Sequence, residues 1–333
     1  MRPGRLLWRL IIFVVFASGA LALARNPELQ TVRLICLPGV PLPVAIANTG
    51  GFFAKHGIEV QAERASDANA VRSELASGKA DIAHASVENA VVMDDAGQAD
   101  VIIVMGGEGS TSELIAQADI KSVKDLRGRT IITDGTDTAY TLTLKKILLL
   151  NGLKPGTDCE IKVIGVATAR LAAMTENEEY AATIQKPPTS ILAERAGMRS
   201  LGLTQDLLKS GPSQGIGAFV QRRWARDHTE LLEGYIMAFV EGQRWLMSRA
   251  NKQQAIELIM KDAHLPADVA AETYEIDMKS GWTEDARFEE KGFEDDLKLK
   301  AEFDSSATFK RPAAESYYDL SYYQKSLMLL KSR

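Results

Sequence analysis

The stretch Thr130–Gly152, TIITDGTDTAYTLTLKKILLLNG, decides the fold. Thr130–Thr133 is β-branched, as a short buried strand requires. Polar turn-formers follow in Asp134–Thr138. The spacing predicts a helix over Thr136–Leu150, with apolar residues three and four apart, and Asn151-Gly152 ends it. Strand, loop and helix in that order are part of a βαβ unit. Its position is informative, because the same alternation has already run once upstream. There, strands are predicted at Thr31–Leu37, Ile58–Ala62, Ile82–Ala85 and Val101–Met105. Helices at Val44–Phe53, Asn69–Ala76 and Val87–Ala96 separate them. A strand at Glu113–Gln117 and a short helix at Val123–Leu126 precede the quoted stretch. Strands at Ile161–Ile164, Ala181–Ile184 and Ile216–Val220 follow it, with helices at Ala169–Thr175 and Ser190–Ala196. The chain therefore builds two α/β blocks and not one long sheet. Helical spacing dominates thereafter, in Ala225–Ala250, Gln253–Asp262, Ala267–Ser280 and Tyr317–Leu330; residues 284–312 are polar and show no clear period.

Composition adds bounds. The chain has 333 residues, 46% hydrophobic and 25% charged, with a formal charge of −5. These values suit a globular protein of one large or two ordinary domains. They supply no clustered basic surface for nucleic acid. Two cysteines, Cys36 and Cys159, cannot make a disulfide framework or a zinc cage. The N-terminus is unusual. Arg2, Arg5 and Arg9 precede an apolar run, Leu10–Ala17, and small residues end in Ala22-Leu23-Ala24. That is the pattern of a cleaved secretory signal. The alternative is a retained anchor, although the run is shorter than the roughly 20 residues that span a bilayer. Cleavage after Ala24 removes three arginines and no acid, taking the charge from −5 to −8.

Several phrases then carry a resemblance. Thr31–Leu37 with its proline-rich turn, and AIANTGGFFAKHGIE at Ala45–Glu59, resemble the opening of periplasmic solute-binding proteins of the nitrate/sulfonate/taurine branch, which is related to thiamine-pyrimidine synthases. SGKADIAHASVENA (Ser77–Ala90), SVKDLRGRTI (Ser122–Ile131), DGTDT (Asp134–Thr138) and ATIQKPPTSILAERAG (Ala182–Gly197) are similar to later phrases of that family, in order. The resemblance covers about residues 30 to 250. It implies a two-lobed periplasmic-binding-protein fold (type II) of α/β class. Two crossover hinge strands, near 113–117 and 216–221, would join the lobes. Lobe one is expected at 30–112 plus 222–333, with the C-terminal helices packing on it, and lobe two at 118–215. A disulfide between Cys36 and Cys159 would tie together lobes that must move, so two buried thiols are expected instead.

Ligands of open α/β sheets sit beyond the carboxyl ends of strands, near helix N-termini. This places Pro41 and Leu42 after the first strand, Ser86 before a helix, Gly107 after the apolar strand, and Thr136, Asp137 and Thr138 at the second-lobe loop. Gln185 and Lys186 precede Pro187-Pro188 at the cleft mouth; Arg64 and Glu108 are rim candidates. Each has a plainer alternative: Ser86 or Thr136 as helix caps, the glycines as turns, Lys186 as a solvated charge. Asp137 favours the helix dipole but opposes an anion, which leaves room for a ligand bearing an amine. Histidines do not cluster for a metal, and no G-x-S-x-G elbow occurs. The resemblance implies no cofactor and no catalysis. It implies a monomer that binds a small polar organic molecule or an oxyanion by hinge closure and docks on an ABC permease. An enzyme on the same fold and a binding protein that presents ligand to a membrane receptor are the alternatives. Sequencing the N-terminus of protein recovered from a periplasmic extract is expected to give Arg25 as the first residue; an intact Met1 in that fraction contradicts cleavage.

Overall fold

The computed structural model describes residues 29–107, 111–136, 138–211, 213–303 and 313–332. The expected export segment lies outside them, as do Glu108, Gly109 and Asp137.

The chain opens with β1 (Gln30–Cys36), α1 (Leu42–Thr49), α2 (Phe52–Lys55), β2 (Ile58–Arg64), α3 (Ala68–Ala76), β3 (Ile82–Ser86), α4 (Glu88–Asp95) and β4 (Val101–Gly106). It continues through β5 (Glu113–Ala116), β6 (Thr130–Thr133), α5 (Ala139–Leu150), β7 (Glu160–Val163), α6 (Ala167–Glu176), β8 (Tyr180–Gln185), α7 (Thr189–Arg195), β9 (Arg199–Leu203) and α8 (Thr204–Leu208). Then come β10 (Ile216–Gln221), α9 (Arg222–Asp227), α10 (Thr229–Met247), α11 (Lys252–Asp262), α12 (Ala267–Ile276), α13 (Glu290–Phe303) and α14 (Ser321–Lys331).

The strands form two five-stranded sheets, ordered β2-β1-β3-β10-β4 and β7-β6-β8-β5-β9. Each contains one strand that arrives from the other block. β10 runs antiparallel between β3 and β4, and β5 runs antiparallel between β8 and β9. The chain crosses between sheets after Gly106 and again before Ile216. The two strands expected as hinges are thus integral members of the sheets, and the crossings precede them.

Alternation assigns side chains to the two faces of the first sheet. Val32, Leu34 and Cys36 of β1 join α1, α10 and α14 in one core. Ile35, with Phe219 of β10, joins α3, α4 and Phe293 of α13 in the other. The second sheet is covered likewise, by Leu144, Ile147 and Leu148 of α5 on one face and by Met174 and Ala193 on the other. Cys36 and Cys159 are buried in separate lobes and form no disulfide. Just before α14, Tyr317 O accepts from Ile103 N, and Asp319 N donates to Ile103 O, both at 2.9 Å. The C-terminal segment therefore satisfies the outer edge of β4.

The departures from expectation are local. The helix expected at Val44–Phe53 breaks at Gly50-Gly51, where Gly51 adopts φ +73. Ala225–Ala250 divides at His228 into α9 and α10. Thr138 is the N-cap of α5, so the helix begins at Ala139 and not at Thr136. β9, α8 and α13 lie where no element was expected.

α10 packs on α1 at close range. A Cβ on Gly242 would stand 2.3 Å from the Pro43 carbonyl oxygen. Gly242→Ala is expected to destabilise the fold by about 1–3 kcal/mol, because a backbone oxygen must move; this outweighs alanine's helix-propensity gain of roughly 1 kcal/mol. A urea titration with an unchanged midpoint refutes this.

Candidate functional site

The lobes meet at two stations. At the first, the N-termini of α4 and α5 face each other. Glu88, the first residue of α4, presents its carboxylate to the Ala139 N–H at the start of α5. Lys300 of α13 donates to Glu88 Oε1 at 3.1 Å. Burial pushes the Glu88 carboxyl above its ordinary value; Lys300 and the Ala139 N–H oppose that shift, and nearby Asp134 adds to it. Helix N-termini attract anions through their free N–H groups and dipole. Here the Glu88 carboxylate lies close to that end of α5.

Behind the α5 loop lies Arg170, 2% exposed. It donates to Thr183 Oγ1 (3.0 Å), to the Ile184 carbonyl (3.1 Å) and to the Gly165 carbonyl. Burial lowers its pKa, against the fields of Asp134 and Tyr140. All three hydrogen-bond acceptors are neutral, so its charge is balanced at longer range. Neither Glu88, Arg170 nor Lys300 was among the sequence candidates. A lone arginine in the alanine-rich run ATARLAAM was the available signal for one of them.

α13 spans the lobes beside this station. Glu302 accepts from Lys146 of α5 at 2.7 Å, and Phe293 and Leu297 pack on the first lobe. Asp296 accepts from Ser213 Oγ at 2.7 Å and from Gln214 N at 3.2 Å, in the second crossing. Asp296 keeps part of its surface in solvent, yet protein crowds its carboxyl closely. Its pKa is pushed up to about 7, chiefly by desolvation and also by Glu88 and Asp295, against the two hydrogen bonds, which pull it down.

The second station is a pocket of about 150 Å³. Leu42 of α1 and Leu246 of α10 line it from the first lobe, with Ile259, Asp262, Thr273, Asp277 and Trp282. Lys186, Pro187 and Pro188 close it from the second lobe. Asp277 opens a single π-helical turn, Asp277–Gly281, a local irregularity often found at functional sites.

The sequence candidates distribute unevenly over this geometry. Leu42 and Lys186 line the same pocket. Pro41 caps α1 with its carbonyl, which accepts from Val44 N and Ala45 N. Ser86 is half-buried at the end of β3, beside the first station, and does not cap α4 through its side chain. Gly107 is buried. A Cβ there would stand 3.0 Å from the Ile216 carbonyl oxygen and 3.1 Å from His84 Nε2, a tight fit that leaves little room for a side chain. Thr138 caps α5: Oγ1 accepts from Thr141 N at 3.3 Å and donates to Asp134 Oδ1 at 2.5 Å. Thr136 is exposed. Gln185, 1% exposed, is consumed within the second lobe, donating to the Ala167 carbonyl and accepting from Thr189 Oγ1. It braces the loop that carries Lys186. Among the described residues, no group of three or more His, Cys, Asp or Glu side chains converges to hold a metal ion, and no helix is long and apolar enough to cross a membrane.

Two α/β lobes, each lending a strand to its partner and meeting at a pocket, define the two-lobed periplasmic-binding-protein fold. The chain belongs to the NMT1-like family, whose family model matches residues 26–260. Solved structures share the architecture at low identity. A protein of Bordetella bronchiseptica RB50 is 16% identical with a TM-score of 0.74, covering 91% of this chain and 99% of that one. The sulfonate ABC transporter periplasmic sulfonate-binding protein SsuA (putative in name) of Methylobacillus flagellatus KT is 18% identical with a TM-score of 0.71, over 91% and 96%. The periplasmic nitrate-binding protein NrtA of Synechocystis PCC 6803 is 15% identical with a TM-score of 0.72, over 92% and 90%. No curated protein matches the sequence significantly.

The raised pKa of Asp296 makes stability depend on pH. Between the ordinary carboxyl value near 4 and about 7, the folded chain holds a proton that the unfolded chain releases. Stability from this group therefore falls as pH rises through that window. Asp296→Asn is expected to gain on the order of 1–3 kcal/mol relative to the parent at pH 8, and little at pH 4. Parallel melting curves of parent and variant at the two pH values check this; equal differences at both contradict it.

Proposed function

We propose that the protein is the solute-binding component of an ABC importer, exported to the periplasm and acting as a monomer. It holds one small polar organic molecule between its lobes without changing it, and presents the closed form to a membrane permease. One observation carries this: the 150 Å³ pocket is walled by residues of both lobes, Leu42 from one and Lys186–Pro188 from the other. A molecule bound there touches both lobes only when they are together, so it favours closure by its extra contacts. Membership of the NMT1-like family supports the same function. The names of similar structures, sulfonate-binding and nitrate-binding components of transport systems, support it as well.

The polar interlobe contacts suit a reversible joint. Arg195 of α7 reaches Glu272 of α12 at 2.9 Å and also pairs with Asp268, with all three side chains well exposed. Exposed pairs of this kind contribute about 0–1 kcal/mol each, so they bias closure without fixing it. Thermal-shift screening of sulfonates, nitrate, carboxylates, amino acids and pyrimidines is expected to find one class that raises the melting temperature. Mass spectrometry is then expected to recover that solute unaltered after prolonged incubation. Conversion of the solute sinks the binding-protein function in favour of an enzyme.

A further inference from the structure

The pocket at Lys186 has a selective chemistry of its own. Its volume matches that of a cavity which accepts a benzene ring. Much of its wall is hydrocarbon, from Leu42, Leu246, Ile259, Pro187 and the Trp282 ring. Trp282 meets Tyr274 edge-on at 5.8 Å between centroids, which fixes the plane it offers. The polar groups are few and carry both signs. Lys186 comes from the second lobe and enters no ion pair among the described residues. Thr273 is 4% exposed, and its hydroxyl has no hydrogen-bond partner among the described residues. That oxygen is sealed from the pocket, so it offers no contact to a bound molecule. Asp262, at the end of α11, and Asp277, opening the π turn, add two acids to the one base, a local formal charge of −1.

A small inorganic oxyanion suits neither the size nor the sign of this chamber. Nitrate would leave the Trp282 wall unfilled and would face net negative charge. A sulfonate would turn a third oxygen toward hydrocarbon, where it loses its hydrogen bonds. What complements one cation, two carboxylates and an apolar wall is a zwitterion with an apolar body.

We infer that this pocket binds an α-amino acid with a branched or aromatic side chain. Its carboxylate pairs with Lys186, its ammonium faces Asp262 and Asp277, and its side chain lies against Trp282, Leu246 and Ile259. This rests on the solute-binding function proposed above and narrows its ligand to one chemical class.

Titration calorimetry of the exported chain with L-leucine, L-phenylalanine, taurine and nitrate tests it. Leucine or phenylalanine is expected to bind at least about tenfold more tightly than taurine or nitrate. Lys186→Met is expected to weaken that binding about tenfold or more, since it removes the carboxylate's partner. Trp282→Phe keeps an aromatic wall and is expected to retain most of the affinity; melting curves confirm that each variant is folded. Taurine or nitrate binding as tightly as the amino acids overturns the inference, as does amino-acid affinity unmoved by Lys186→Met, or no amino-acid binding at millimolar concentration. The broader thermal-shift screen separates the two levels. A solute of another class that binds irrespective of Lys186 sinks only the amino-acid assignment. A chain that binds no solute at all sinks the solute-binding function too.

Discussion

Everything in this molecule depends on the chain crossing between its two sheets twice. A sheet buried on both faces needs neighbours at every internal strand, and here each sheet obtains one from a segment returning from the other lobe. β10 fills the gap between β3 and β4, and β5 fills that between β8 and β9. Removing either strand would open a row of unpaired backbone groups in the middle of a core, which is far costlier than losing an edge. The lobes are consequently inseparable in folding, although each has its own hydrophobic centre. The same crossings turn the carboxyl ends of both sheets toward one another. That is why the loops after β1 and β8, distant in sequence, share a pocket.

The joint between lobes differs in character from the cores. Within each lobe, packing is apolar and close, as at Gly242 against Pro43. Between lobes, the contacts include ion pairs: Lys146 with Glu302, and Arg195 with Glu272. Water competes effectively for such groups, so separating the lobes costs little. α13 belongs to both worlds. Its Phe293 anchors in the first lobe, while Asp296, Lys300 and Glu302 make polar contacts at the second crossing, the facing helix ends and α5.

This division explains what the sequence disclosed. The periodicity of strands and helices in residues 30–221 is written in hydrophobic spacing, because those elements bury conventional apolar faces. α13 escaped notice because KGFEDDLKLKAEF buries charge along with hydrocarbon, and charge spacing carries no fixed period. β9 is short and interrupted by Gly202, at φ +129. Of the site, Leu42 and Lys186 were legible as loop residues after strands. Trp282, Thr273 and Asp262 were not, since they reach the pocket from helices placed by tertiary packing. Glu88 looked like an ordinary first-turn acid; only the facing helix gives it a partner across the lobes.

The two cysteines offer an unplanned property. Cys36 lies in the core of one lobe and Cys159 in that of the other, and no disulfide joins them. A thiol reagent reaches each only when its own surroundings open. Each lobe thus carries a built-in clock for its local unfolding, and the two can be timed independently in a single unlabelled molecule.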